Sequence, residues 1–466
     1  MAVALGACAG GGAPETSTAP VKPATKKVVV VKKPAKPKGP VLKPLPHGLS
    51  GRALKGPERA DGQSYLLNRA VFGRAYGVGE SQPARIAMLL PLSGRAAPVG
   101  QALFRSAQMA LFDAGNPRLS ILPKDTGGTE EGARRAVREA VSHGVQVIVG
   151  PLFGRLVDVV RAEAEQAGVP VISFTNDRQR AGRGVYTLGL PPEAEVARMM
   201  AHAIADGHVA VAAFLPDSAY GLRIADALRA AAELQAVEMT HVEFYPAGAT
   251  ADNPELLASA RRVADFDERK KALDKEVAKL KLRSDAVATA ALKRLEKQDT
   301  LGNPPYTAIF LAESQGRLSS VVPLLPFYDV NPANVRFFGL RNWYGPDLQR
   351  EPALIGARFP MSDMALMIEF NRRYAETFGG EAPRIAPLGY EAVALVATLM
   401  QDSVDGSKVT FTDRSLTNAA GFSAYSGPFR LLPSGYAERH LGVVEIAEDG
   451  VRVLEPPRTD FSTLIN

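Results

Sequence analysis

The chain has 466 residues, 46% of them apolar and 22% charged, with room for two ordinary domains and a composition that excludes wholesale disorder. Its formal charge of +6 sits in one place: residues 9–60 hold eleven Lys/Arg against two Asp/Glu, a local +9 that leaves −3 for the rest. A slightly acidic body excludes a phosphate-tracking surface, so no nucleic-acid partner is expected.

The single cysteine, Cys8, comes first in chain order. A buried core thiol does not suit it, because the following AGGGAPETSTAP cannot order itself by burial; a leftover thiol in a disordered end stays open. The third reading takes Leu5, Gly6, Ala7 and Cys8 together, since they resemble a bacterial lipobox, in which the cysteine sulfur carries a lipid. Residues 1–8 are then expected to be the tail of a truncated signal peptide with its lipobox, Cys8 the lipid attachment site, and the membrane a partner through that lipid. Residues 9–60 read as a Pro/Lys-rich tether, extended by proline and by lysine repulsion. A short helix is expected over 64–74.

From residue 85 short apolar runs alternate with helical patterns. RIAMLLPL (85–92), LSILPKD (119–125), VQVIVGP (145–151), VPVISF (169–174), AVAAFLP (210–216), TAIFLAE (307–313) and VRFFGL (335–340) read as buried strands. Between them lie a helix over 101–114 and one capped by Thr129, with Glu130 and Glu131 in its first turn and Gly144 as its stop. The alternation predicts an α/β fold with parallel sheets flanked by helices, divided into two lobes.

Residues 261–298 break this rhythm with twelve Lys/Arg and seven Asp/Glu. Phe266, Leu273, Leu280 and Val287 recur every seventh residue, which predicts one long helix or a helical hairpin, ended at Gly302-Asn303-Pro304-Pro305. Arg269, Lys270 and Lys275 are its candidate partner-docking charges; the alternative is an amphipathic arm packed on its own lobe.

The phrases IAMLLPLSG, VIVGPLFG, AGVPVISFTND, PDSAYG and FGLRNWYGPDL, in this order, resemble type I periplasmic binding proteins of the leucine/isoleucine/valine-binding family over about residues 84–456. The block from ASARRVADF to LLPFYDV is similar to penicillin-binding protein activator lipoproteins, relatives of that fold in the outer membrane. The resemblance implies lobe 1 at 84–206 plus 362–405 and lobe 2 at 207–361 plus 406–456, with the insertion in lobe 2. It implies a regulator of a peptidoglycan synthase, a bifunctional penicillin-binding protein, reached by protein contact in the periplasm. The alternative is a lipid-anchored amino-acid receptor of an ABC transporter.

In such a fold a small-molecule ligand would lie between the lobes, and the resemblance places Ser93, Phe153, Thr175, Tyr220, Glu313, Arg341 and Trp343 there. Thr175 and Tyr220 keep a hydroxyl and an aromatic suited to an amino acid. Phe153 stands where a hydroxyl is expected, and Arg341 where a carboxylate would meet the ligand's ammonium. No GxSxG, HExxH, GxxxxGK[ST] or CxxC motif occurs, and the six histidines show no metal-ligand spacing. No catalytic residue, metal or cofactor is expected.

Overall fold

Two sheets, each with helices on both faces, carry the body of the protein. In a computed structural model of the chain, residues 41–42, 64–65, 83–345, 348–401, 411–459 and 461 are described, all within one unit, Gly39–Asn466. The lipobox around Cys8, nearly all of the tether and most of the expected 64–74 helix lie outside them. Ser64–Tyr65 is described as a strand, parallel to Phe422–Ser423, where a helix was expected.

Lobe 1 is a five-stranded parallel sheet in the order Leu119–Asp125, Ala84–Leu90, Val147–Val149, Val171–Ser173, Val185–Thr187. The near-unbroken apolar reading of Ala84–Leu90 follows from burial on both faces. Glu130–Ser142 and Val157–Gln166 cover one face, and Thr129 accepts the Gly132 N–H at 3.1 Å as its cap. Ala97–Ala114 and Ala386–Gln401 cover the other. These two helices approach so closely at Gly389 that a Cβ there would lie 2.2 Å from the Leu103 carbonyl oxygen.

Lobe 2 has eight strands in the order Val41–Leu42, Gly450–Glu455, Gly442–Ala447, Arg358–Met361, Arg336–Phe338, Ala308–Leu311, Ala210–Asp217, Glu238–Pro246. The last five are parallel; Arg336–Phe338, Ala308–Leu311 and Ala210–Asp217 are among the expected strands, while Arg358–Met361 and Glu238–Pro246 are additions to them. The first three are antiparallel additions at one edge, so this sheet is mixed. The chain passes between lobes near residues 188–196, 361–370 and 437–443.

Packing moves two segments relative to the expected lobe boundaries. The helix Pro192–Ala205 buries Val196, Met199, Met200 and Ala203 against the larger sheet, so it belongs with lobe 2. Phe411, Leu416, Phe422, Phe429 and Ala437 pack into the lobe 1 core, so residues 411–437 belong there.

The insertion starts in the last turn of Pro254–Val263, a helix packed on the lobe 2 core, and forms two further helices, Phe266–Lys281 and Ala286–Leu295. Of the two expected forms, the last two helices make the hairpin. Leu273, Leu280, Ala288 and Leu295 close a small core of their own. Val287, fourth in the expected seam, is 72% exposed, because the turn capped by Asp285 resets the register and turns Ala288 inward.

Candidate functional site

Loops at the carboxyl ends of the parallel strands of the two lobes meet, with Arg223 reaching Asn176 and Arg384 reaching Asn342, and the cleft between the lobes lies at these loops. In lobe 1 the first loop carries Ser93, whose N–H lies 3.2 Å from Asp125 Oδ1. The same oxygen accepts the N–H groups of Leu92 and Gly127, each at 2.8 Å. Against its partial desolvation, the Ser93 hydroxyl and these amides hold the Asp125 carboxyl below the usual carboxylate range. Loop amides suited to a ligand's carboxylate are thereby occupied by a carboxylate of the chain.

Phe153 is half-buried against the helix-side core, with the Arg155 guanidinium 5.3 Å from its ring centroid and donating to the Gly128 carbonyl. Thr175 is buried, and its Oγ1 accepts the Asp177 N–H at 3.1 Å in a local turn. Phe153 has no hydroxyl to give an amino acid's carboxylate, and the Thr175 hydroxyl is buried in this turn.

The lobe 2 wall is an array of ion pairs. Arg341 donates its backbone N–H to Glu195 Oε2 at 2.8 Å, and its Nε lies 3.5 Å from Oε1. Burial pushes the Glu195 carboxyl up, with Arg341 opposing. The cation expected to repel an ammonium is therefore paired with a carboxylate that sequence order alone did not connect to it. Glu313 is buried beside Arg317, whose Nε donates to its Oε2 at 2.9 Å; burial raises its pKa despite that contact. Tyr220, 37% exposed, lies in the fields of Glu195, Arg341, Arg223 and Glu313, and burial followed by Glu195 raises its hydroxyl pKa.

Trp343 does not join this group. Its side chain is fully buried beside Phe359, and its indole lies on Gly339, where a Cβ would come 2.1 Å from the ring. It is a core residue of lobe 2, because the short 3-10 turn Arg341–Trp343 points it beneath the sheet end.

Two further arginines, absent from the sequence reading, cross between the lobes. Arg384, just before Ala386–Gln401, donates Nη1 to the Asn342 carbonyl at 2.8 Å and Nη2 to the Tyr344 carbonyl. Arg223 binds Glu193 Oε2 at 2.9 Å and donates to the Asn176 carbonyl at 2.8 Å. At the back of the cleft, Arg439 and Glu391 pair at 3.0 Å with side chains 1% and 0% exposed. Glu391 also accepts the Ser426 N–H, and Arg439 donates to the Leu188 carbonyl beside a lobe crossing.

Of the docking candidates, Lys270 and Lys275 are exposed and Arg269 is not. Arg269 donates to the carbonyls of Ala264 (3.1 Å), Gly302 (2.6 Å) and Asp329 (3.2 Å), cinching the entry and exit of the hairpin. It lies three residues after Phe266 and four before Leu273, on the apolar face. Cys8 falls outside the described residues. Among the described residues no group of side chains could hold a metal ion, and no helix is long and apolar enough to cross a membrane.

Comparisons with known proteins agree with this architecture. Over 157 residues the chain is 29% identical to the penicillin-binding protein activator LpoA of Vibrio vulnificus, covering 32% of this chain and 26% of that protein. The curated relatives it matches are covered over about a quarter to a half of their length. Among solved structures it is similar to an ABC transporter substrate-binding protein from Sphaerobacter thermophilus, with TM-score 0.57, 19% identity, and coverage of 82% and 99% of the two chains. It is also similar to the LpoA C-domain of Haemophilus influenzae, a regulator of PBP1A, with TM-score 0.53, 17% identity, and coverage of 80% and 100%. Residues 83–450 match the model of the periplasmic binding protein family, and with the two-lobed fold above, the chain belongs to that family.

Proposed function

We propose that the protein is a periplasmic regulator, anchored to the outer membrane by lipid on Cys8, that activates a bifunctional peptidoglycan synthase by protein contact. The observation that carries this reading is the division of polar groups between cleft and insertion. In the cleft, Asp125 takes the loop amides and Glu195 takes Arg341. On the hairpin, Lys270 and Lys275 face solvent, and a long charged element offers steering and register to a large partner. The similarity to proteins named as penicillin-binding protein activators supports the same direction. The test combines the purified chain with a bifunctional synthase and measures glycan polymerisation and cross-linking. Acceleration that disappears on deletion of residues 266–298 is the expected result; unchanged synthase rates with the intact chain reject the reading.

A second reading, an amino-acid receptor for an ABC transporter, draws on Tyr220, which remains partly exposed beside Glu195 at the cleft. A ligand at 100 times its Kd stabilises a protein by about 2.7 kcal/mol. No amino acid is expected to raise the Tm; a rise of several degrees with one of them would favour the receptor.

A further inference from the structure

We propose that the aromatic platform at the base of the hairpin, Phe327 with Tyr328 and Phe266, is the anchor on which an acidic surface of the synthase seats, one phenyl ring entering a socket of the partner. The proposal rests on the synthase-activator reading and locates its contact.

Phe327, the last residue of the short helix Leu324–Phe327, is 71% exposed. Its ring meets Tyr328 edge-on, with centroids 5.0 Å apart; Tyr328 meets Phe266 edge-on at 5.4 Å; the Arg261 guanidinium lies 5.0 Å from the Phe266 centroid. A lone exposed phenylalanine needs no explanation. Phe112 is as exposed, and among the described residues it meets no other ring. A continuous run of aromatic rings ending in an arginine is the composition in which binding energy concentrates.

The backbone beneath the platform is held at a cost. Arg269 is buried without a carboxylate at ion-pair distance among the described residues, and desolvation lowers its pKa. One of its three carbonyl partners belongs to Asp329, the residue directly after Tyr328, and another to Ala264, two residues before Phe266. Asp329 (φ 60°) and Asp265 (φ 50°) are two of the three non-glycine residues in the left-handed region among the described residues. Thr300 Oγ1 donates to Asp329 Oδ2 at 2.9 Å and adds a further tie. Unfavourable backbone conformations persist where surrounding contacts over-determine them, and they gather at working sites. Fixing an exposed ring gains the isolated chain nothing; it lowers the ordering cost when the ring is received by a partner.

Charge selects the partner's chemistry. Residues 266–299 carry ten Lys/Arg against seven Asp/Glu. Four of those acids are neutralised locally: Asp267 by Arg261, Glu268 by Lys271, Glu276 by Lys279 and Asp285 by Arg283. Lys270, one turn after Phe266, and Lys275 have no ion-pair partner among the described residues. The surplus along the hairpin that rises from the platform is positive, and a carboxylate-rich rim that reaches the hairpin complements it.

The experiment uses the full chain and a purified bifunctional synthase, with binding measured for wild type, Phe327→Ala and Lys270→Glu. A photo-crosslinking residue placed at 327 or at 112 is measured in parallel. Expected are an unchanged Tm for both variants, binding weakened about tenfold or more by Phe327→Ala, a salt-dependent loss with Lys270→Glu, and cross-linking from 327 well above that from 112. Wild-type binding with equal affinity for Phe327→Ala, or equal cross-linking from the two positions, overturns the platform and leaves the synthase reading standing. Self-association abolished by Phe327→Ala, with cross-links joining two copies, assigns the platform to a second copy and overturns the proposal. Failure of wild type to bind the synthase overturns the reading beneath it as well.

Discussion

The cleft and the hairpin are both rich in charge and use it in opposite ways. In the cleft, Arg341, Arg439, Arg223 and Arg317 each face a carboxylate of the chain, and Arg384 closes on two carbonyls across the lobes. On the hairpin, Lys270, Lys275, Lys281 and Lys293 face water with no ion-pair partner among the described residues. The difference teaches that a shared fold does not fix which surface does the work. Here the groove between the lobes is cross-braced by the chain's own groups, and the hairpin of lobe 2 offers unpaired ones.

The sharpest break in that comparison comes from the cleft's back wall. Removing one member of a buried ion pair strands the other, at about 3–5 kcal/mol. Glu391→Gln should therefore destabilise the protein by roughly that amount in urea unfolding, because the Arg439 guanidinium keeps the Leu188 carbonyl, the Phe429 face and an amide oxygen but loses its counter-charge. A loss under about 1 kcal/mol would mean that the pair adds little. Double replacement by apolar residues of similar volume should restore much of the loss.

Arg269→Ala comes next, and it acts on the hairpin. It leaves the carbonyls of Ala264, Gly302 and Asp329 without their donor, and each buried unsatisfied acceptor costs about 1–3 kcal/mol before relaxation. A net loss of about 2–3 kcal/mol is expected, with faster hydrogen exchange at 266–295 and unchanged exchange in the lobe 1 strands. Uniformly faster exchange would show that the hairpin is not a separate unit.

A smaller effect follows acid. His202, at the far end of the helix that carries Glu195, lies with Nε2 3.0 Å from Arg358 Nη1, so Nε2 accepts and Nδ1–H donates to Glu455. Burial lowers its pKa first, Arg358 and Arg198 lower it further, and Glu455 opposes them. Asp206, held by the same Arg358 Nη1, and the Phe338 ring complete its surroundings. A histidine whose folded pKa lies below its unfolded value, near 6.5, remains neutral in the fold after the unfolded chain has taken a proton. Stability is therefore full above the unfolded value and declines as pH falls from there toward the folded one. His208 and His440 shift the same way through burial. Glu455, lowered by Arg198 and His202 against its own desolvation, loses its contribution as pH falls through its folded value, also to the acid side. The Tm should fall on acidification below neutrality, and His202→Gln should flatten that fall. A Tm that rises on acidification contradicts the assignment.

Much of the fold was legible because its strands are short, apolar and buried on both faces. Ala84–Leu90 and Val147–Val149 read as strands from composition alone, and Thr129 announced its helix through its cap. The antiparallel edge strands Gly442–Ala447 and Gly450–Glu455 were missed, since Glu445 and Arg452 interrupt their apolar pattern and pair with neighbouring charges. In the site, the resemblance grouped Tyr220, Glu313 and Arg341, whose charges act on one another in the folded chain, but could not say which way Trp343 points. Arg269 lies between Phe266 and Leu273, a spacing that by itself puts it on the buried face of the helix and not among the docking charges. Glu195 and Arg384 lie on helices or beside them, far in sequence from their partners, and only the folded chain joins them.

The smallest expected effect on stability separates the two regions most clearly. Lys270→Glu with Lys275→Glu reverses two solvated charges on Phe266–Lys281 that hold nothing in place. Exposed substitutions of this kind usually stay within about 0.5 kcal/mol, so the melting curve should overlay that of wild type. A surface without structural duty is free to be read by a partner, and interactions between exposed charges are screened over about 8 Å at physiological salt. Binding to a bifunctional synthase should therefore weaken several-fold at low ionic strength, with the gap to wild type narrowing as salt is added. If the double variant melts early, these lysines brace the hairpin as the arginines brace the cleft. If it melts normally and still binds as wild type at every salt concentration, the working surface lies elsewhere and the contrast between the regions has no bearing on the partner.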